Sequence, residues 1–474
     1  MGTDAGGTSL FESAAKIYPR QAHGRYAKLR VAAVCTLLGF YYAIPWIRIG
    51  GSPLVWFDLP RRHFHVFGLE LVPQDLYLLS WLLLLAALTL FLFTSLAGRL
   101  WCGYACPQTV WTEAFLWIEH LVEGDRYQRI KLDRAPWRAN KILRKSGKHA
   151  LWVLLGLFTG LTFVAYFVPA RELFPAALHG NLSGWPLFWS LFYGFATWGN
   201  AGFLREQVCK YMCPYARFQS AMFDRDTLII SYDTARGEPR KSLAKKLGKA
   251  PGPAALLSGE LDVPSPAAKI GDCVDCSLCV QVCPTGIDIR KGLQYECIAC
   301  AACIDACNGV MDNVGKPHGL IRYSTLRRDQ GDKRWHALRG RTLGYGTVWL
   351  IVASALLTAI FLRTPLEFDV IRDRHSLYRE LPDETVENVY TIKLANQDSH
   401  EHDFLVSAHF ADGTALTLNP DRVHLAAGEQ RAVTLSARAV EEDLPRVSKV
   451  EFQLVAEDAP RLKRQREASF LSGD

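Results

Sequence analysis

The hydrophobic positions of the chain form long runs over most of its length and short alternating runs near its end. A segment of about 20 apolar residues can cross a bilayer as a helix. The segments that reach this length are 29–49, 75–97, 149–169, 185–204 and 343–362. A buried helix of a soluble domain could account for one of these segments, but hardly for all of them. The pattern therefore predicts an α-helical membrane protein with several spans.

The alternating runs predict a different fold for residues 363–474. Apolar and polar residues alternate in the segments 386–397, 402–410, 430–439 and 449–457. Turn signals lie between these segments at Asp412-Gly413 and Ala427-Gly428. Since period-two alternation is typical of strands that bury one face, we expect an all-β sandwich here.

Lysine and arginine counts predict how the spans are oriented, because short cytoplasmic loops carry an excess of these residues. Loop 98–148 has ten of them, whereas loop 170–184 has only Arg171. The N-terminal tail, residues 1–28, is polar and contains several cations, so we expect no cleavable signal and a cytoplasmic N-terminus. Five crossings then place residues 363–474, which hold 14 Lys and Arg against 21 Asp and Glu, outside the cytoplasm.

The formal net charge of +7 does not indicate nucleic-acid binding. The basic residues cluster beside the hydrophobic segments, which favours contact with a membrane surface. The sequence has no P-loop, no G-x-G-x-x-G after a strand and no G-x-S-x-G, so a nucleotide-driven or serine-hydrolase role has no support.

The 13 cysteines are distributed as metal ligands are, in four tight groups plus Cys35. None lies beyond Cys307. The cysteine-rich block falls between the fourth and fifth predicted spans, on the side where thiols stay reduced, and the exported tail carries no thiol. The predicted topology and the use of cysteine therefore agree.

The strongest motif is C-x2-C-x2-C-x3-C-P from Cys273 to Pro284, followed by C-x2-C-x2-C-x3-C from Cys297 to Cys307. Three cysteines at this spacing hold three corners of a [4Fe–4S] cluster, and the fourth ligates the other cluster. Zinc sites use pairs of cysteines rather than such triplets. Crossed ligation predicts one cluster on Cys273, Cys276, Cys279 and Cys307, and a second on Cys297, Cys300, Cys303 and Cys283.

A second cysteine motif, C-x3-C-P, occurs twice, at Cys102/Cys106 and at Cys209/Cys213, displaced by 107 residues. Each copy follows a predicted span. On a helix, residues four apart share a face, so each pair could present two sulfurs to one metal. Soft thiolates select Cu(I), zinc or iron–sulfur clusters, and buried free cysteine is the alternative. Cys35, in the first span, is most simply a packed apolar thiol that would join this site if it were functional.

Histidine gives no comparable signal. His120, His149 and His179 lie near predicted membrane ends and are candidate axial ligands of haem or copper. No C-x-x-C-H motif is present, so covalent c-type haem is not expected. Lone histidines near interfaces are more often structural, so other haem is not expected either. In the tail, His400, His402 and His409 are most simply polar residues of an exposed β face.

These patterns predict a definite order of domains. We expect a cytoplasmic tail at 1–28, followed by a four-helix membrane domain at 29–232 that contains both C-x3-C-P motifs. A flexible linker at 233–268 then leads to a ferredoxin-like domain at 269–342. A fifth span at 343–362 and a β-sandwich at 363–474 complete the order.

This constellation resembles the cytochrome c oxidase accessory proteins of the CcoG/FixG type. The resemblance rests on WCGYACPQ at 101–108, CKYMCP at 209–214, the crossed ferredoxin block, five spans and the exported tail. It implies an immunoglobulin-like fold for the tail, a bacterial inner-membrane location with the tail in the periplasm, and a role in assembling the cbb3-type oxidase.

The resemblance further implies reduction of Cu(II) to Cu(I), with copper as substrate or bound ion and the oxidase or its copper chaperones as partners. Electrons from an unidentified cytoplasmic donor would reach copper held by the four C-x3-C-P cysteines. Two other functions stay open. The chain could conduct electrons between a cytoplasmic donor and quinone or a periplasmic partner, or it could be a non-redox copper chaperone or scaffold.

Overall fold

The computed structural model of the protein describes residues 16–49, 52–240, 271–332, 339–363, 366–373, 377–382, 385–398, 400–440 and 445–472. The chain forms two compact units. One contains the residues up to Trp56 together with Leu83–Ile351, and the other contains Phe57–Leu82 and the residues from Val352 onward.

The helices of the described chain follow one another in this order: α1 (Arg25–Ala43), α2 (Leu76–Ala97), α3 (Leu100–Tyr104), α4 (Pro107–Glu123), α5 (Arg126–Arg134), α6 (Ala139–Val164), α7 (Ala170–Leu178), α8 (Gly184–Gly199), α9 (Pro214–Ala221), α10 (Thr234–Gly237), α11 (Leu278–Gln281), α12 (Ala302–Asn313), α13 (Leu326–Asp329) and α14 (Gly340–Phe361). Single π-helical turns cover Asn200–Leu204 and Val208–Met212, and short 3₁₀ turns cover Ile44–Trp46, Pro73–Asp75 and Ile289–Lys291.

Four helical segments of the described chain are long and apolar enough to cross a membrane: Arg25–Trp46, Leu76–Ala97, Ala139–Val164 and Gly340–Phe361. They correspond to four of the five predicted spans. The predicted span 185–204 corresponds to α8, which has 16 residues, and the π turn that continues it. Because 16 residues of α-helix reach only about 24 Å, this crossing depends on the π turn and stays a prediction.

Helices α6 and α8 pack closely because glycines line their contact. A Cβ atom on Gly156 would lie 2.7 Å from the carbonyl oxygen of Gly194, and one on Gly160 would lie 2.6 Å from the Gly194 nitrogen. Small residues let membrane helices approach backbone to backbone. This packing fixes the position of α8, whose C-terminal end leads directly to the second C-x3-C-P motif.

The ferredoxin-like region begins earlier in the chain than we predicted. Strand β6 (Ile229–Tyr232) pairs antiparallel with β7 (Ile321–Ser324), with Ile230 opposite Tyr323. Residues 229–240, which we assigned to the membrane domain and the linker, thus belong to this region, since Ile230 and Tyr232 enter its core. Their apolar alternation covers only four residues, too short to separate from the preceding helix. The rest of the predicted linker, residues 241–268, lies outside the described residues.

The second unit contains the predicted β-sandwich. The strands of the tail are β8 (Leu366–Arg372), β9 (Arg379–Glu380), β10 (Thr385–Asn396), β11 (His402–Phe410), β12 (Thr417–Asn419), β13 (Arg422–Leu425), β14 (Gln430–Val440), β15 (Val447–Ala456) and β16 (Lys463–Leu471). They form two antiparallel sheets, ordered β12-β14-β10-β8, with β9 beside β10, and β13-β11-β15-β16. The side chains that alternate inward form a common core that includes Tyr390, Phe404, Leu435 and Phe452.

Short strands precede the second span: β1 (Arg48–Ile49), β2 (Ser52–Pro53), β3 (Val55–Asp58), β4 (His63–Val66) and β5 (Leu69–Leu71).

In the tail, one histidine differs from our expectation of an exposed β face. His402 is buried, with Nδ1 2.7 Å from an Asp458 carboxylate oxygen and Nε2 3.2 Å from one of Asp398. Its carboxylate partners compensate for the burial of a polar ring.

Candidate iron–sulfur and thiolate site

The first cysteine run encloses a small cavity between α11, α12 and β7. Cys273, Cys276, Cys279 and Cys307 all line it. The remaining lining is mostly apolar and comes from Tyr232, Val274, Leu278, Val310, Met311, Leu320 and Ile321, with Ser277 and Arg290. Cys307 thus lies with the first run although it belongs to the second, which is the arrangement that crossed ligation requires.

The second run encloses a matching cavity. Cys283, Cys297, Cys300 and Cys303 line it together with Thr285, Ala302 and four isoleucines, Ile230, Ile287, Ile289 and Ile298. Cys279 borders both cavities. Here the cysteine from the other run is Cys283, so the exchange is reciprocal.

The two runs share an unusual backbone. Asp275 and Ser277, two and four residues after Cys273, have φ of 50° and 56°. Ala299 and Ala301, at the same offsets from Cys297, have φ of 53° and 60°. Non-glycine residues occupy this left-handed region only where the surrounding structure holds them, often at functional sites. The repeated conformation wraps each loop around its cavity.

Burial makes the cysteines of both cavities costly to ionise without a positive partner. It raises the pKa of Cys279 to about 11 and those of Cys297 and Cys307 to about 12. Iron supplies that positive charge, and four thiolates in an apolar cavity are the donor set of a [4Fe–4S] cluster. The residues of each cavity therefore fit such a cluster, while the assignment of individual ligands stays a prediction.

The C-x3-C-P motifs do not adopt the continuous helix that we assumed. Cys102 lies in α3, which ends at Tyr104, and Cys106 precedes Pro107, the first residue of α4. Cys209 lies in the π turn, and Cys213 precedes Pro214, the first residue of α9. Proline suits the first helical position, where its missing N–H costs nothing. Each pair of cysteines therefore spans a helix break instead of sharing a helix face.

Hydrogen bonds and a buried ion pair bring the two motifs together. Gln108, directly after the first motif, donates from Nε2 to the carbonyl oxygens of Asn200 at 2.9 Å and Arg205 at 3.2 Å. The Arg205 guanidinium in turn lies 2.9 Å from a carboxylate oxygen of Glu119 on α4. Glu119 is 1% exposed and also pairs with Arg129. The segment before Cys209 is thus fixed to the helix that follows Cys106.

The four motif cysteines are close enough to affect one another's ionisation. Burial raises the pKa of Cys102 to about 12, and the charges of Cys106, Cys209 and Cys213 contribute. Burial likewise raises the pKa of Cys209 to about 11, with contributions from Cys106 and Cys213. The Cys102 thiol lies 3.4 Å from Oε1 of Gln219. Among the described residues, no three Cys, His, Asp or Glu side chains are spaced to hold one metal ion.

The first C-x3-C-P motif packs directly against the second cluster-binding run. A Cβ atom on Gly103 would lie 2.7 Å from the Ile298 carbonyl oxygen and 2.9 Å from the Cys300 nitrogen. Cys102 packs against the buried group formed by Val282, Ile298, Cys300 and Ala302. Only glycine at position 103 permits this approach. The second cavity is therefore the one that adjoins the membrane cysteines.

Further contacts hold this junction. The Arg99 guanidinium donates to the carbonyl oxygens of Tyr295 and Ala216. The Tyr323 hydroxyl donates to the Ala299 carbonyl oxygen at 2.6 Å and lies 3.4 Å from that of Tyr104. The first motif segment is thus bonded to the ferredoxin-like region, and Arg99 also joins it to α9, which follows the second motif.

Comparison with known proteins places this geometry in a family. Residues 204–326 match a family model described as a 4Fe-4S dicluster domain, and residues 79–123 match a 4Fe-4S binding domain. Residues 356–473 match the family described as the IG-like fold at the C-terminus of FixG. The nitrogen fixation protein FixG of Rhizobium meliloti is 40% identical over 425 residues, which cover 82% of this chain and 78% of that protein. The chain belongs to the FixG family.

A second FixG-family relative, Protein RdxB of Cereibacter sphaeroides, is 40% identical over 424 residues, covering 87% of this chain and 85% of the relative. A crystal structure of a FixG-related protein from Vibrio parahaemolyticus matches 23% of this chain and 98% of that chain, at 21% identity and a TM-score of 0.21. The resemblance and the fold class predicted from sequence are confirmed. As a FixG-family member with these domains, the chain is an iron–sulfur electron-transfer protein associated with a membrane.

The structure does not bring every predicted site residue of this FixG-family chain together. Cys35 is exposed on α1, so our expectation of a packed thiol is wrong, and no described interaction of the motif cysteines involves it. Sequence reasoning also missed Arg99, Gly103, Gln108 and Gln219. Gly103 alone carried a signal, since a glycine between two cysteines of a repeated motif indicates a close backbone approach.

Proposed function

We propose that this protein reduces Cu(II) to Cu(I) for assembly of a cbb3-type cytochrome c oxidase. The eight cysteines of the two cavities would hold [4Fe–4S] clusters, which would provide electrons one at a time, and each electron would convert one Cu(II) to one Cu(I). The observation that carries the proposal is the contact of Gly103 and Cys102 with the second cysteine run. This contact leaves no intervening layer of protein between the run and the membrane thiols.

The order of the two cavities supports a direction for the electrons. Cys279 borders both cavities, and only the second cavity adjoins the membrane cysteines through Cys300. We propose that the first cavity receives electrons from a cytoplasmic donor and that the second is next to the copper. The exposed side chain of Cys276 gives the first cavity an edge that a soluble donor can approach.

The proposed copper ligands are Cys102, Cys106, Cys209 and Cys213. Soft sulfur ligands favour Cu(I), whereas Cu(II) prefers nitrogen and oxygen, so a group of thiols stabilises the product of the reduction. Among the described residues, no three of these side chains are spaced to hold one metal ion, although the thiols interact electrostatically. Copper held by three or four of the thiols would therefore need these side chains to move inward.

The proposed topology follows the lysine and arginine distribution. The N-terminus and the ferredoxin-like region lie in the cytoplasm, and five crossings place the β-sandwich in the periplasm of a bacterial inner membrane. Copper thiolates and cluster ligands then share the reducing side of the membrane. The sandwich is available to a partner, which we propose to be the oxidase or one of its copper chaperones.

The test uses anaerobically purified full-length protein, reduced and then freed of reductant. A Cu(I)-specific chelator measures Cu(I) formed from added Cu(II). The Cys209→Ser/Cys213→Ser double variant should keep about eight irons per chain, lose bound copper and form little Cu(I). The Cys35→Ser variant, which alters an exposed cysteine on α1, should behave like the parent.

Two outcomes would overturn the proposal. If the parent protein passed electrons to a quinone but formed no Cu(I), and the double variant did the same, the protein would be an electron conduit. If oxidised and reduced protein delivered copper equally well, the protein would be a copper chaperone or scaffold without redox function.

A further inference from the structure

A cleft of about 550 Å³ lies in the first unit, beside the second cysteine run. Its walls are the segment from Pro19 to Gly24, the first turns of α1, the middle of α4 and the loop around Cys283. Its volume is within the range of pockets that hold small organic ligands. None of the steps described above uses this cleft.

The cleft adjoins the second cavity. Val282 and Pro284 line it and flank Cys283, and Ala302 lines it and precedes Cys303. Arg30, which also lines the cleft, has a guanidinium nitrogen 3.4 Å from the Cys300 carbonyl oxygen. A ligand in the cleft would therefore be separated from the predicted cluster ligands by single residues.

One wall is apolar and continuous with a membrane helix. Val31 and Ala32 belong to α1, one of the helices that can cross a membrane, and Leu116 and Trp117 face the cleft from α4. An occupant with a long hydrocarbon tail could enter along α1 without exposing the tail to water.

Charged side chains on the same two helices, α1 and α4, and on the segment before α1 suit a group that loses protons and electrons. Arg30 has a buried Nε without a hydrogen-bond partner. Arg20 and Lys28 add positive charge, whereas Arg129 is paired with Glu119, and Glu113 supplies a carboxylate among the described lining residues. The cations would attract any anionic group, but a phosphate has no proton to give the carboxylate at neutral pH, whereas a phenolic hydroxyl does.

We infer that this cleft binds the head group of a membrane quinol, which supplies electrons to the protein. The inference rests on the proposed function and gives the second cavity a membrane source of electrons, in addition to the cytoplasmic donor proposed for the first cavity. The quinol loses two electrons and two protons and becomes the quinone. The electrons enter the iron–sulfur centre of the second cavity one at a time, one proton passes first to the Glu113 carboxylate, and both protons reach water. Between the two electrons the ligand is anionic, and Arg30 stabilises it.

Photolabelling tests binding without relying on activity. An azido-ubiquinone probe, added to the full-length protein in detergent, should label peptides from residues 27–32 and 113–120. The Ala32→Phe variant fills the cleft and should lose most of the label, whereas Leu29→Phe, a matched change of an α1 residue that does not line the cleft, should keep it. Label elsewhere, or equal label in both variants, would overturn the inference. Displacement of the label by phosphatidylglycerol, but not by decylubiquinol, would identify an anionic lipid as the occupant and would also overturn it.

Reduction by decylubiquinol tests the role of Glu113. The Glu113→Gln variant should slow bleaching of the iron–sulfur absorption by about 100-fold, as expected when a proton acceptor is removed. The exposed control Glu172→Gln should not change the rate. An unchanged rate in Glu113→Gln would contradict the assignment.

The two proposals can fail separately. Chemically reduced Glu113→Gln protein should form as much Cu(I) as the parent, since copper reduction then needs no quinol. If the parent is labelled and bleached by quinol but forms no Cu(I), the proposed function fails while the quinol site stands.

Discussion

The close approach of Gly103 to the second cysteine run makes a quantitative prediction. In the Gly103→Ala variant, the new Cβ atom would lie 2.7 Å from the Ile298 carbonyl oxygen and 2.9 Å from the Cys300 nitrogen. Because ordinary contact begins at 3.4 Å, the loop must retreat by about 0.5–0.7 Å. The atoms it meets are backbone atoms of a loop held by cluster ligands. They cannot rotate away as a flexible side chain can.

Opposing contributions set the expected size of the effect. Overpacking typically costs about 1–3 kcal/mol, and backbone contacts belong in the upper half of that range. Replacing glycine by alanine in a helix recovers about 0.5–1 kcal/mol. The net destabilisation should be about 1–2.5 kcal/mol, or roughly a 5- to 70-fold change in the equilibrium constant for opening the junction.

Gly39→Ala is the matched control, because a Cβ atom on Gly39 in α1 meets nothing within 4 Å. It should be stabilising by about 0.5–1 kcal/mol through helix propensity alone. The assay is the urea concentration at which half of the iron–sulfur absorption is lost in detergent. The midpoint should fall for Gly103→Ala and stay equal or rise for Gly39→Ala. Parallel shifts in the two variants would refute the close packing of the motif against the run.

Three further predictions follow from the same contacts. Cys307→Ser should remove the EPR signal of the cluster in the first cavity and Cys283→Ser that of the cluster in the second; loss of the opposite signals would rule out crossed ligation. Glu119→Gln should destabilise the junction by about 3–5 kcal/mol, because it removes the buried carboxylate that compensates the charges of Arg129 and Arg205. An unchanged urea midpoint would contradict this. Burial lowers the pKa of His402, but the carboxylates of Asp458 and Asp398 raise it more, so the net pKa lies above the ordinary value. The stabilisation that protonated His402 gives is therefore present at low pH and is lost as the pH rises through the raised pKa. Hydrogen exchange of residues 402–410 in the full chain should therefore be slower than in His402→Gln at pH 5.5 and equal to it at high pH, whereas a difference that grows with pH would reverse the assigned sign.

Local patterns in the sequence were sufficient for much of the fold. The alternating runs 402–410 and 430–439 correspond closely to β11 and β14, because a strand that buries one face needs only period-two alternation. The long apolar runs gave four membrane-length helices to within a few residues at most ends. The cysteine spacing predicted that each run gives its fourth cysteine to the other run's cluster. Cys307 of the second run lines the first cavity, and Cys283 of the first run lines the second cavity.

Contacts between distant parts of the chain could not be read from local patterns. The pairing of Ile229–Tyr232 with Ile321–Ser324 joins segments about 90 residues apart, which hid the true start of the ferredoxin-like region. The helix break inside each C-x3-C-P motif overrode the expected helical spacing, because Pro107 and Pro214 begin new helices. The approach of Gly103 to Cys300 depends on the fold of both regions.

The central claim is that electrons reach Cu(II) through the four membrane-motif cysteines. Freeze-quench EPR tests it most directly, with reduced, reductant-free protein mixed with one equivalent of Cu(II) and followed in time. We predict that the Cu(II) signal and a reduced-cluster signal disappear together, one electron per copper, and that both persist in the Cys209→Ser/Cys213→Ser variant. Equal loss of the Cu(II) signal in that variant, or loss of Cu(II) without oxidation of a cluster, would contradict the account.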